Sequence, residues 1–215
     1  MGQQWKRNTL ILIMLLFAFD LAEAQQRTKK SEFQATKVGF ILMNYSGSTN
    51  KSFSQGANGY ALELSSDSGG SYFRYFLKGR ISLSEGKQNF VDNVNTVFNS
   101  TYKFSGFSPE IGISIYPVRR RESGLNMYLW GVGIVSYNYL DLATVPSSSS
   151  VKLRDQGYGT GYGGGLGFEF VIAASRSGSR YMLYGEVGFR DERVNLLQRT
   201  DFEIGGMSYA LGLGF

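Results

Sequence analysis

The chain has 215 residues and a formal net charge of +5 at neutral pH, with neither histidine nor cysteine. A charge excess this diffuse does not argue for nucleic acid, the missing cysteines exclude a disulfide-held scaffold, and without histidine or cysteine a zinc site would need carboxylates alone. The 28 glycines and 15% aromatic content point to strands and close packing rather than to helices.

At the N-terminus, Lys6 and Arg7 precede the apolar run Leu10–Phe19, and Ala22-Glu23-Ala24 places small residues where a signal peptidase inspects the chain. The run is about ten residues, short of the roughly 20 that a spanning helix needs. Residues 1–24 therefore read as an export signal cleaved after Ala24, although Asp20 is unusual in its last turn. A polar leader is expected over 25–35 and a single domain over 36–215, with no hydrophobic helix in it and no further domain.

The first strand is expected at Thr36–Tyr45, where Val38, Phe40 and Leu42 alternate with Lys37 and Gly39, while Ile41 and Met43 blur the phase. After a polar loop at Ser46–Asn58, Tyr60, Leu62 and Leu64 alternate with Ala61 and Glu63, and Asp67-Ser68-Gly69-Gly70 supplies a tight turn. The third strand, Tyr72–Leu83, has the clearest alternation. Phe73, Tyr75, Leu77, Gly79, Ile81 and Leu83 share one face, and Arg74, Phe76, Lys78, Arg80 and Ser82 the other. Three cations exclude that second face from lipid.

A long polar loop is expected at Ser84–Lys103, and a fourth strand at Phe104–Tyr116 with Pro109, Ile111, Ile113 and Ile115 opposed to Glu110, Gly112 and Ser114. Arg119-Arg120-Arg121 and the residues to Gly124 read as a solvated turn rather than a phosphate-binding patch. The fifth strand, Asn126–Tyr137, is apolar on both faces, which leaves its orientation open; a loop follows at Leu140–Gln156. In the sixth strand, Tyr158–Ile172, Tyr162, Leu166, Phe168 and Phe170 oppose Gly163, Gly165, Gly167 and Glu169. Gly159, Gly161 and Gly164 match the GxGxxG spacing, but a dinucleotide turn needs a helix after the glycines, and here strand alternation runs on. The glycines read instead as room for large neighbours inside a narrow barrel. A short turn is expected at Ala174–Ser179, a seventh strand at Tyr181–Arg190 with Leu183, Val187 and Phe189 against Tyr184, Glu186, Gly188 and Arg190, and a last charged loop at Asp191–Asp201.

The final stretch, Glu203–Phe215, sets Met207, Tyr209, Leu211, Leu213 and Phe215 at strict period two, with Ser208, Ala210, Gly212 and Gly214 between them. Such a strand can face hydrocarbon on one side and a crowded interior on the other. Its terminal aromatic residue, preceded by alternating apolar ones, resembles the C-terminal signature of bacterial outer-membrane β-barrels. The resemblance implies that Tyr209, Leu211, Leu213 and Phe215 form the signal read by the barrel assembly machinery. Connections that are long after strands one, three, five and seven and short after the others fit short periplasmic turns and long external loops. The whole 36–215 segment resembles the small eight-stranded outer-membrane β-barrels, of which the OmpA transmembrane domain and OmpX are familiar members. The expected fold is thus all-β, an eight-stranded antiparallel up-and-down transmembrane β-barrel. The resemblance further implies residence in the outer membrane of a Gram-negative bacterium, both mature termini in the periplasm, outer-membrane lipid as surroundings, a monomer, and no cofactor. No peptidoglycan-binding domain of the OmpA type follows, so no wall-anchoring role is expected.

An eight-stranded barrel leaves an interior just wide enough for side chains to fill. The inward set is Arg74, Lys78, Arg80 and Arg190 against Glu63, Glu110, Glu169 and Glu186, with Lys78, Glu110, Glu169 and Glu186 expected at one mid-barrel depth. Charges buried there have to pair. They read as a structural network, with a narrow ion or proton path as the alternative. Function is then expected in the loops, as adhesion, partner binding or envelope integrity without catalysis, and a small porin-like channel is the second reading. Outer-membrane lipid enzymes are similar to this chain in fold alone and use a histidine as base, which it lacks, so no enzyme is expected.

Overall fold

The computed structural model describes residues 35–45, 58–91, 97–144, 151–173, 180–196 and 199–215. The expected export signal, the leader up to residue 34 and most of the first loop lie outside the described residues. The described residues form eight strands: β1 (Ala35–Tyr45), β2 (Asn58–Gly69), β3 (Phe73–Val91), β4 (Val97–Ile115), β5 (Gly124–Thr144), β6 (Val151–Ala173), β7 (Arg180–Leu196) and β8 (Arg199–Gly214). Each is antiparallel to the next, and β1 pairs with β8 from Lys37 opposite Gly214 to Tyr45 opposite Gly206, so the sheet closes on itself. Closure leaves no sheet edge along this seam, the condition for placing a β-structure in hydrocarbon. It runs to the last residue, since Thr36 and Phe215 exchange both backbone hydrogen bonds at 2.9 Å.

Period-two alternation decides what each strand buries. On β3, Arg74, Phe76, Lys78, Arg80, Ser82 and Ser84 are buried inward, while Phe73, Tyr75, Ile81 and Leu83 are exposed on the outside. On β1 the inward set includes Ile41 and Met43, so the blurred phase is that of a strand with apolar residues on both faces. The same holds for β5: Leu125, Met127, Leu129 and Val135 point out, and Tyr128, Trp130, Val132 and Ile134 pack inside with Phe76 and Tyr116. Sequence periodicity cannot orient such a strand, because one apolar face is lipid-directed and the other is core.

The strands are longer than the sequence suggests. Most of the loop expected at Ser84–Lys103 is a continuation of β3 and β4, paired from Glu85 opposite Lys103 to Val91 opposite Val97. Likewise β5 and β6 stay paired to Thr144 opposite Val151, and most of Asp191–Asp201 belongs to β7 and β8. Above the apolar band both faces tolerate polar residues, so hydrophobic alternation fades while the backbone ladder continues. The expected contrast between long and short connections is corrected accordingly: residues 116–123 between β4 and β5 outnumber residues 92–96 between β3 and β4. What distinguishes the two ends is strand extension. The tight turn also shifts, since β2 runs on to Gly69, where φ is +132° and a Cβ would lie 2.8 Å from the Phe73 carbonyl oxygen. Only glycine fits that backbone conformation without strain.

Candidate functional site

The polarity of this barrel is inverted relative to a soluble protein. Side chains such as Phe40, Leu62, Ile111, Leu166, Phe170 and Leu213 are exposed around the outside, while twelve charged residues are buried within: Lys37, Arg74, Lys78, Arg80, Arg120 and Arg190, with Glu63, Asp67, Glu110, Glu169, Glu186 and Glu192. Six cations face six anions among the described residues, so the lumen is neutral overall. An apolar exterior of this extent is what hydrocarbon, not water, would solvate. The structure is a barrel built to span a membrane.

The charges form two series. In the central one, Glu186 on β7 meets Lys78 on β3 at 2.7 Å, Lys78 lies 3.7 Å from Glu63, Glu63 accepts from Arg80 at 3.3 Å, and Arg80 lies 3.5 Å from Glu110, which Arg190 binds through both terminal nitrogens. Because β3 and β7 lie on opposite sides of an eight-stranded barrel, this series crosses the lumen from wall to wall. Tyrosine hydroxyls complete it, Tyr184 donating to Glu63 at 2.7 Å and Tyr128 to Glu186 at 2.9 Å. The second series sits at the end where β1 begins and β8 ends. Arg74 binds Asp67 at 2.9 Å, Asp67 binds Lys37 at 3.1 Å, and Lys37 lies 3.7 Å from Glu169, which also pairs with Arg120. Tyr116 and Asn126 donate to the same Glu169 carboxylate at 3.3 and 3.2 Å.

All eight lumen residues expected from the sequence are buried, but the four expected at one mid-barrel depth do not share it. Glu169 leaves the level of Lys78, Glu110 and Glu186 and joins the terminal series, because the sheared register carries β6 toward Lys37 of β1 and the β4–β5 connection. Four further members were absent from the expected set. Lys37 lies within the expected first strand on the inward parity of Gly39, and Asp67 and Glu192 continue the inward parity of Glu63 and Arg190 past the expected ends of the second and seventh strands. Arg120 carries no such signal. Of the expected solvated turn, Arg119 and Arg121 are exposed, whereas Arg120 folds back beneath the barrel onto Glu169, its backbone N–H held by the Ser71 carbonyl at 2.9 Å.

Inward glycines of β6 and β7 give the aromatic residues their space. A Cβ on Gly167 would overlap the Tyr128 ring, and one on Gly188 would overlap Trp130. The final residues Tyr209, Leu211, Leu213 and Phe215 lie together on the outer face. No group of three or more acidic, histidine or cysteine side chains among the described residues is arranged to hold a metal ion.

No protein-family model matches the chain, and no curated protein does. Solved structures similar to it include the following two. Neisserial surface protein A is 12% identical, with 86% of this chain and 97% of that one covered and a TM-score of 0.39. Ail, the attachment invasion locus protein of Yersinia pestis, is 12% identical, with 84% of this chain and 95% of that one covered and a TM-score of 0.42. These likenesses are too distant to carry function across, and the membrane assignment stands on the apolar exterior and closed ladder of this chain.

Proposed function

We propose that this chain is a non-enzymatic outer-membrane barrel that presents a binding surface at the end opposite the start of β1 and the end of β8. The observation that carries this reading is the contrast between a lumen crossed by interlocked ion pairs and strands that continue past the apolar band. At that end β3 and β4 stay paired to Val91 opposite Val97 and β5 and β6 to Thr144 opposite Val151, so the ladder carries the chain beyond the apolar band to where a partner can reach it. With the start of β1 and the end of β8 toward the periplasm, this end faces outward from the cell.

A small porin-like channel is the competing reading. Planar-bilayer recording separates the two: the refolded barrel should add no unitary conductance steps, because Lys78–Glu186 and Arg190–Glu110 bridge opposite walls. Reproducible steps that vanish with Lys78→Met would favour the channel.

A further inference from the structure

On the outer wall, where the apolar band gives way toward the loop end, β4, β5 and β6 carry a graded surface. The register sets three outward-facing rows side by side. Nearest the band, Phe107 lies opposite Tyr137 and Tyr137 opposite Tyr158, with the two tyrosine rings 5.2 Å apart. One step outward along the strands the row is Ser105, Tyr139 and Gln156, and one step further it is Lys103, Asp141 and Arg154. The surface therefore passes from aromatic to hydrogen-bonding to charged within about 14 Å of strand.

The two outer rows hold donors in reserve. Tyr137 donates to Gln156 Oε1 at 2.7 Å, which leaves the amide NH2 of Gln156 without a partner among the described residues. The hydroxyls of Ser105 and Tyr139 have none there either. Arg154 meets Asp141 through Nε at 3.4 Å and keeps its terminal nitrogens for another acceptor, while Lys103 comes only within 4.0 Å of Glu85. A girdle that merely marks the edge of the hydrocarbon would look alike all round the barrel. On β7 and β8, however, Arg193 and Glu203 stand 4.0 Å apart over Asp191 and Gly205, with no hydroxyl or amide between charge and band.

The outermost row specifies the guest. Lys103 and Arg154 flank Asp141 and lie two strand spacings apart, about 10 Å. A bare phosphate suits both cations but meets the carboxylate, so the guest has to bring an anion together with hydrogen-bond donors. Ethanolamine phosphate brings both and is too short to cover two rows. A phosphorylated sugar covers them: its hydroxyls donate to Asp141 and accept from Ser105, Tyr139 and Gln156, and acyl chains attached to it run down over the aromatic row into the band.

We propose that the outer face of β4–β6 docks the phosphorylated sugar headgroup of a membrane glycolipid, its phosphate held by Lys103 and Arg154 and its acyl chains lying over Phe107, Tyr137 and Tyr158. This site rests on the membrane-spanning reading alone and is separate from the surface beyond the band that serves partner binding.

Monophosphoryl lipid A, an acylated and phosphorylated glucosamine disaccharide, is the probe, doped into phosphatidylcholine nanodiscs that hold the full barrel. Raising its fraction should cause saturable shifts of the Gln156 side-chain amide resonances, while phosphatidylethanolamine, phosphatidylglycerol and a neutral glucosyl diacylglycerol at the same fractions cause none. Lys103→Gln combined with Arg154→Gln should weaken the apparent affinity roughly tenfold, a loss of about 1.4 kcal/mol. Tyr139→Leu should weaken it severalfold and Arg193→Gln should leave it unchanged; all four side chains are exposed on the outer face, so the lumen is undisturbed. Absence of a saturable shift overturns the site. Equal shifts with either phospholipid overturn recognition of the sugar, equal shifts with the neutral glycolipid overturn recognition of the phosphate, and an equal loss with Arg193→Gln overturns the location.

Discussion

Neutralising Glu110 is the sharpest probe of the lumen. Its carboxylate is 2% exposed, binds both terminal nitrogens of Arg190 and lies 3.5 Å from Arg80 Nε. Glu110→Gln keeps the shape and removes the charge. Arg80 retains Glu63 at 3.3 Å, but Arg190 has no other salt-bridge carboxylate among the described residues. A buried charge stranded in this way costs about 3–5 kcal/mol. At a denaturant slope of about 2 kcal/mol/M, the urea midpoint of the barrel refolded in lipid vesicles should fall by roughly 2 M. Trp130 reports the transition, since it is buried in the inner aromatic cluster and is the only tryptophan of the barrel segment. Replacing both partners, Glu110→Gln with Arg190→Met, should restore most of the midpoint, because a buried pair exchanged for neutral groups is close to energetically balanced. A single variant within about 0.5 kcal/mol of the parent, the range of ordinary surface changes, would refute the view that these pairs hold the lumen. A double variant worse than the single would show that Arg190 acts through packing instead of charge.

Three other outcomes are expected. Leu77→Arg places a cation on the lipid face near mid-band and should cost about 2–4 kcal/mol in vesicle refolding, whereas Ser105→Arg, outward and near the rim, should cost about 0–1 kcal/mol; equal costs would mean that the band is misplaced. Phe215→Ala should lower outer-membrane levels in cells far more than it lowers the urea midpoint; it is preferable to deletion, which would also cut the two backbone hydrogen bonds to Thr36. Normal cellular levels would refute recognition of the terminal residue by the assembly machinery. Gly167→Ala, whose new methyl group meets the Tyr128 ring, should destabilise by about 1–3 kcal/mol. An unchanged urea midpoint would show that the ring moves aside freely.

Period-two alternation determined much of this molecule from sequence alone. Wherever an outward apolar set faced an inward polar one, as in Arg74–Lys78–Arg80 of β3 or Glu186 and Arg190 of β7, the two faces could be assigned without coordinates, since a strand offers only two. Eight such strands and the charges on their inner faces followed. The terminal strand was equally legible, its alternation running unbroken from Met207 to Phe215. Three features required the tertiary structure. The orientation of β5 depends on Tyr128 and Trp130 finding space over Gly167 and Gly188, glycines on other strands whose position is fixed only by register. Strand length beyond the apolar band rests on backbone hydrogen bonds, to which every residue type except proline contributes alike. The pairing of charges depends on shear: it brings Lys37 of β1 to Glu169 of β6, and it lets a connection residue, Arg120, reach the same carboxylate. Local pattern specifies which face a side chain takes, and only closure of the barrel decides which side chain it meets there.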